Sequence, residues 1–223
     1  MGETVQLTSA DGHQFDAYRA APDGVPLGAV VVIQEIFGVN KHIRDVTEGF
    51  AREGYLAIAP AIFDRFSKGV ELGYEEDDIS IGRELKSKGN ENLDNILADV
   101  EAAFDAVKDN GFVGITGYCW GGVIVWAAAC RLNFDAASSY YGGGIIDLVN
   151  ESPKCKTIMH FGREDESIPL EDVNIISTAH PKVIVHLYNA GHGFNCDRRR
   201  SYDEKSAELA LIRTLKLFTG AIN

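Results

Sequence analysis

Apolar residues along the chain switch repeatedly between unbroken runs and helical spacing, and each switch marks an element. Residues 29–34 (AVVVIQ) form a continuous β-branched run, the pattern of a strand covered on both faces. Residues 41–52 follow with helical spacing, which puts Ile43, Val46 and Phe50 on one face. Residues 55–59 read as a short strand stopped by Pro60. The stretch 64–90 is polar and irregular. It carries the acidic run 75–78 (EEDD) and a short helix near 79–88, and it is either part of a site rim or a solvated excursion. Residues 92–107 form an amphipathic helix through Ile96, Val100, Ala103, Phe104 and Val107. Further strands are predicted over 113–117, 136–141, 157–161 and 183–188. Helices are predicted over 121–130, 170–178 and 206–218, the last with its leucines and Ile212 inward.

Strand–helix alternation without an internal repeat or a linker predicts one α/β domain over residues 1–223. Its central sheet should be mostly parallel, with helices on both faces. A chain of 223 residues is long enough to bury roughly 70% of the surface its unfolded form exposes. Its core therefore needs neither disulfides nor metal. In sheets of this kind ligands lie beyond the carboxyl ends of the strands, so the chemistry should directly follow strands.

Charge narrows the partners. Twenty-one Lys and Arg against 33 Asp and Glu give a formal net charge of −12. That field repels nucleic acid and anionic membranes, and neither is an expected partner. A small anionic substrate would need local arginines working against it. No apolar run approaches the roughly 18 residues of a membrane span. The opening MGETVQLTSADG has no basic stretch leading into an apolar run, so no signal peptide is expected. Gly2 is not followed by a lipidation signal. Cys119, Cys130, Cys155 and Cys196 show no framework spacing and read as free thiols of a reducing cytoplasm.

The strongest chemical signal is Gly117-Tyr118-Cys119-Trp120-Gly121-Gly122, between a predicted strand and a predicted helix. A tight strand-to-helix turn pushes its central side chain outward, and the N-terminus of the next helix favours a thiolate. Cys119 is thus either a nucleophile or a small apolar filler in a Gly-rich turn. Two partners favour the nucleophile. Asp165 follows the strand TIMHF in Gly162-Arg163-Glu164-Asp165, with Glu164 as the rival acid. His192 follows the last strand, flanked by Gly191 and Gly193. The order Cys119, Asp165, His192 is the nucleophile–acid–base order of the α/β-hydrolase fold. His160 and His186 lie within strand patterns. His13, His42 and His180 read as superficial. No HExxH or other ligand cluster stands out, so neither a metal nor a cofactor is expected.

Glu35 sits directly after the first strand run, in the loop that supplies an oxyanion-hole N–H in such folds. An acid there either handles a proton or makes a structural salt bridge, with Arg44 as the candidate partner.

These blocks resemble the dienelactone hydrolase (carboxymethylenebutenolidase) family. The matching residues are 34–40 (QEIFGVN), 117–122 (GYCWGG), 140–142 (YYG), 162–165 (GRED) and 191–194 (GHGF), and the resemblance runs from about residue 5 to 218. It implies a catalytic triad of Cys119, His192 and Asp165, and a role for Glu35 in moving the thiol's proton. It implies an oxyanion hole made by the N–H groups of Ile36 and Trp120. It further implies a cytoplasmic enzyme, a monomer or weak homodimer, that opens dienelactone to maleylacetate. Family members follow the active histidine with serine and place a carboxylate-gripping arginine four residues after it. Here those positions hold Gly193 and Cys196. Arg83, Tyr74 and Arg198 are the candidates left for holding substrate. Competing functions are a carboxylesterase or thioesterase for another small ester, and a redox-sensing or binding protein with a reactive Cys119.

Overall fold

A computed structural model describes residues 2–220. The strands are β1 (Glu3–Thr8), β2 (Gln14–Ala20), β3 (Ala29–Ile33), β4 (Leu56–Pro60), β5 (Val113–Tyr118), β6 (Ala136–Tyr140), β7 (Lys156–Gly162) and β8 (Ile184–Tyr188). The helices are α1 (Lys41–Arg52), α2 (Glu76–Glu91), α3 (Leu93–Asp105), α4 (Trp120–Arg131), α5 (Leu170–Ala179) and α6 (Glu204–Phe218). The strand order is β1-β2-β4-β3-β5-β6-β7-β8. This is an α/β-hydrolase fold, a mostly parallel central sheet with antiparallel strands at one end and helices on both faces. The chain divides within β5 into two compact units, one ending at Ile115 and one beginning at Thr116.

In the first unit, β3 pairs in parallel with β4, and all five residues of each are buried. Runs such as AVVVI and LAIAP satisfy this because both faces of each strand lack water. β1 and β2 add an antiparallel ribbon. The sequence pattern predicts no strand before residue 29. Every residue of ETVQLT in β1 is exposed or half-buried, so the apolar signal is weak. α1 is capped by Asn40, whose side chain accepts from the Ile43 N–H at 3.3 Å. Its inward face is His42, Ile43, Thr47, Phe50 and Ala51, with Val46 only half-buried.

The stretch expected to be irregular contains a 16-residue helix, α2. Glu75 and Asp78 form a capping box, and Glu76, Asp77 and Asp78 complement the positive end of the helix dipole. The run EEDD is therefore a helix start rather than a loop. Only Gly82, Leu85 and Gly89 of α2 are buried, too few to write an apolar stripe in the sequence. A Cβ on Gly82 would stand 2.4 Å from the Ile36 carbonyl oxygen, so α2 packs directly on the loop after β3. Asp99 is fully buried and takes two 2.8 Å hydrogen bonds from Arg65, which also bonds Asp11. That pairing compensates the burial of a carboxylate.

In the second unit, β6, β7 and β8 run parallel in register, with His160 opposite both Tyr140 and His186. α4 is buried along nearly its whole length. α6 corrects an expectation. Leu209 and Ile212 are 42% and 49% exposed, whereas Ala207, Ala210, Thr214, Leu217 and Phe218 face inward. The small residues of that stripe let α6 approach β6 and β7 closely. The branched residues on the opposite face are left outside. His42 and His180 are also inside rather than superficial. His180 Nε2 bonds the Val149 carbonyl at 2.7 Å, and its ring stands edge-on to Trp126.

Candidate active site

Cys119 joins β5 to α4 with φ 56° and ψ −119°. A side chain in that region costs about 1–3 kcal/mol of backbone strain and persists only where its surroundings enforce it. Two backbone bonds do so. The Cys119 N–H donates to the Tyr140 carbonyl at 3.0 Å, and the Cys119 carbonyl accepts from Gly122 N–H at 2.9 Å. The flanking glycines are required by space. A Cβ on Gly117 would meet the Gly121 carbonyl oxygen at 2.5 Å, and one on Gly122 would meet the Tyr140 carbonyl oxygen at 2.8 Å.

His192 Nε2 lies 3.1 Å from Cys119 Sγ, and His192 Nδ1 lies 2.8 Å from Asp165 Oδ2. Asp165 follows β7. Its side chain is fully buried, and its other oxygen accepts from Ser167 N–H at 2.8 Å. Glu164, the rival acid, points to solvent. The His192 loop returns close against the turn after β7, because Gly162 leaves no room for a Cβ beside the Ala190 carbonyl. The Tyr141 ring stands edge-on to His192, with centroids 5.2 Å apart.

Burial alone would lower the pKa of His192. The hydrogen bonds to Asp165 and Cys119, and their charges, outweigh it and raise the imidazole to about 10. A thiol, an imidazole and a carboxylate in this order can form a nucleophile, move a proton to a leaving group and take one from water. The other thiols are disfavoured. Burial pushes Cys130 up to about 12 and raises Cys155, and Cys196 is wholly enclosed. Among the described residues none of the four cysteines is in a disulfide.

Other residues singled out from the sequence lie as follows. Trp120 is the first residue of α4 and is buried. In the first unit, Glu35 is 1% exposed, with a carboxylate oxygen within 4.8 Å of a His42 ring nitrogen. Arg44 is not its partner. The guanidinium pairs with Glu71 and lies 5.9 Å from the Tyr18 ring centroid, because α1 turns that face outward. Ile36 is buried under Gly82. The Phe37 carbonyl accepts from Leu72 N–H at 2.9 Å. Tyr74 packs edge-on against Phe37, and its hydroxyl accepts from the Asn40 side chain at 3.2 Å. Arg83 is exposed on α2, and Arg198 is exposed 3.7 Å from Asp197.

Arg198, Arg199 and Arg200 all follow His192 out of the family's register. A Cβ on Gly193 would stand 2.4 Å from the Arg199 guanidinium, so this arginine, rather than Arg198, lies against the residue next to His192. Only turn geometry brings it there, seven positions after the histidine.

The sequence profile of the Dienelactone hydrolase family matches residues 15–222. A Synechocystis sp. protein provisionally named a carboxymethylenebutenolidase is 40% identical, over 92% of this chain and 91% of its own. The carboxymethylenebutenolidase of Pseudomonas putida is 31% identical, over 96% of this chain and 94% of its own. A crystal structure from Klebsiella pneumoniae, provisionally titled a dienelactone hydrolase, superimposes with a TM-score of 0.81 at 30% identity. It covers 97% of this chain and 99% of its own. Among the described residues no helix is long and apolar enough to cross a membrane.

Proposed function

Because the chain belongs to the dienelactone hydrolase family and is a hydrolase of that family, we propose that it opens a small enol-lactone through a thioester on Cys119, dienelactone going to maleylacetate. The observation that carries this reading is the pair of contacts at His192, 3.1 Å to Cys119 Sγ and 2.8 Å to Asp165.

In the proposed path the Cys119 thiolate adds to the lactone carbonyl carbon, and the carbonyl electron pair moves to oxygen. That oxyanion accepts from the N–H groups of Ile36 and Trp120, each worth about 3–4 kcal/mol. Collapse breaks the acyl C–O bond, and His192 gives its proton to the departing enolate oxygen. Ketonisation of the released enol then opposes ring closure. Acylation also removes the thiolate charge and its hydrogen bond to His192. Both had raised the imidazole, so without them His192, having given up its proton, stays neutral and is free to take one from water. The water adds to the thioester carbonyl, Cys119 departs as thiolate, and the acid is released. Asp165 holds Nδ1–H throughout. Glu35 is assigned as the acceptor of the resting thiol's proton as substrate arrives, which leaves the thiolate that attacks, and it returns that proton once Cys119 has departed as thiolate and product has left. Glu35→Gln then slows turnover of a carboxylate-bearing lactone and changes the resting thiol's rate of alkylation.

The test is a hydrolysis panel of cis- and trans-dienelactone, neutral lactones and aryl esters, run with the native protein and Cys119→Ala. Dienelactone turned over fastest, and lost in the variant, is the expected result. Aryl esters turned over as fast or faster would make the protein a general esterase or thioesterase. Turnover that survives Cys119→Ala would leave Cys119 a redox or binding thiol.

A further inference from the structure

Tyr140 is held at both ends. Its carbonyl accepts the Cys119 N–H at 3.0 Å, and its fully buried ring ends in a hydroxyl 2.7 Å from Thr214 Oγ1. Thr214, on α6, is also fully buried. Its hydroxyl lies 2.8 Å from Ser138 Oγ and 3.3 Å from His160 Nε2, and Ser138 Oγ lies 3.2 Å from the same nitrogen.

The cluster continues beyond His160, whose Nδ1 lies 2.7 Å from the Tyr188 hydroxyl, and Arg213 stands over the Tyr188 ring, 5.3 Å from its centroid. Burial keeps His160 neutral, since its pKa lies well below the usual histidine value. Each hydroxyl from Tyr188 to Tyr140 thus has a partner within hydrogen-bonding distance, and a buried network with all its members satisfied is rigid.

We propose that Thr214 is a positioning residue for the candidate active site, whose hydroxyl fixes Tyr140 and, through the Tyr140 carbonyl, the strained backbone of Cys119. The inference rests on Cys119 being the nucleophile. Cys119 occupies a conformation that side chains rarely adopt, so its place depends on the few bonds that enforce it. Tyr140 supplies one of them. Its ring packs among Tyr118, Tyr141, His160 and Phe194, and the Thr214 hydroxyl makes the directional bond at its far end. If it is removed, the Tyr140 ring and carbonyl relax together, and the Sγ–Nε2 contact loosens. Displacements near 1 Å at a reacting centre can cost about 100-fold in rate.

The experiment compares Thr214→Val, which keeps the shape and removes the hydroxyl, with Thr214→Ser, which keeps the hydroxyl. Each is assayed for kcat, KM and the rate of iodoacetamide alkylation of Cys119 across pH, beside Cys119→Ala. The expected result for Thr214→Val is a fall in kcat of roughly 10-fold, with KM little changed and a displaced pH profile of alkylation. Thr214→Ser should restore both. A folded Thr214→Val with native kcat and a native alkylation profile overturns the inference, and so does a Thr214→Ser as impaired as the valine variant. If Thr214→Val does not fold, Tyr140→Phe removes the other hydroxyl of the same bond and is judged by the same measurements. Turnover that survives Cys119→Ala defeats the nucleophile reading itself. Its loss there beside a native Thr214→Val defeats only the positioning role.

Discussion

His192 Nε2 stands 3.1 Å from Cys119 Sγ, and that proximity, with Asp165 on the other ring nitrogen, is what raises the imidazole to about 10. A proton held this firmly is available to a leaving group at neutral pH. We expect kcat/KM to fall as pH rises through about 10, where His192 loses its proton. The sign for stability is the same. A raised histidine stabilises the fold fully below its unfolded value near 6.5, and the contribution is lost as pH climbs through the folded value. Thermal melts of the native protein and of Cys119→Ala should therefore differ in their alkaline pH dependence. The variant lacks one of the groups that raise His192 and should lose this contribution at lower pH.

One thiol should dominate the protein's reactivity. Cys119 is half-exposed beside an imidazole, whereas burial raises Cys130 and Cys155 and encloses Cys196. One equivalent of iodoacetamide at neutral pH should label Cys119 and abolish turnover, as read by peptide mass spectrometry. Cys130→Ser and Cys155→Ser should keep native kcat. Full activity with Cys119 alkylated would refute its assigned role.

Asp165 and Glu164 are adjacent in sequence, but one is enclosed against His192 and the other is in solvent. Asp165→Asn should keep its circular dichroism spectrum and lose about 10⁴-fold in kcat, the loss seen when the acid of a serine triad is neutralised. Glu164→Gln should stay within a factor of two of native. The reverse ranking would move the role to Glu164.

Arg199 lies against Gly193, beside the histidine. On a chain of net charge −12 it is well placed to draw an anionic substrate. Arg199→Ala should raise KM for a carboxylate-bearing lactone by roughly 10-fold, the weight of one charge-assisted contact. A neutral lactone should be unaffected, and Arg198→Ala should change neither. Equal effects of Arg199→Ala on both substrates would mean that it only packs.

Cys119, Asp165 and His192 are legible in the sequence because each follows a strand, β5, β7 or β8, in a short glycine-marked turn. Their separation in sequence hides nothing once strand order is known. What lay hidden depends on which side of an element faces in. On α6, apolarity pointed to Ile212, yet the inward stripe begins with the small residues Ala207, Ala210 and Thr214 and carries large apolar side chains only at Leu217 and Phe218. α2 was under-read because its inward positions are two glycines and a leucine. β1 escaped because an edge strand with no buried residue has little hydrophobic contrast. Arg199 cannot be told from Arg198 and Arg200 in the sequence because no spacing rule reaches across an irregular turn.

The sparse inner face of α2 has a consequence for how the protein breathes. With Gly82, Leu85 and Gly89 alone turned inward, little apolar area is exposed when this helix detaches. Its opening should therefore cost far less than global unfolding. Amide hydrogens of α2 should exchange well before those of β3 or α4, and a protease should nick here first. Each such opening also uncovers the Ile36 carbonyl, against which Gly82 is packed. Detachment of α2 should therefore release the loop after β3 from its clamp while the rest of the fold stays closed.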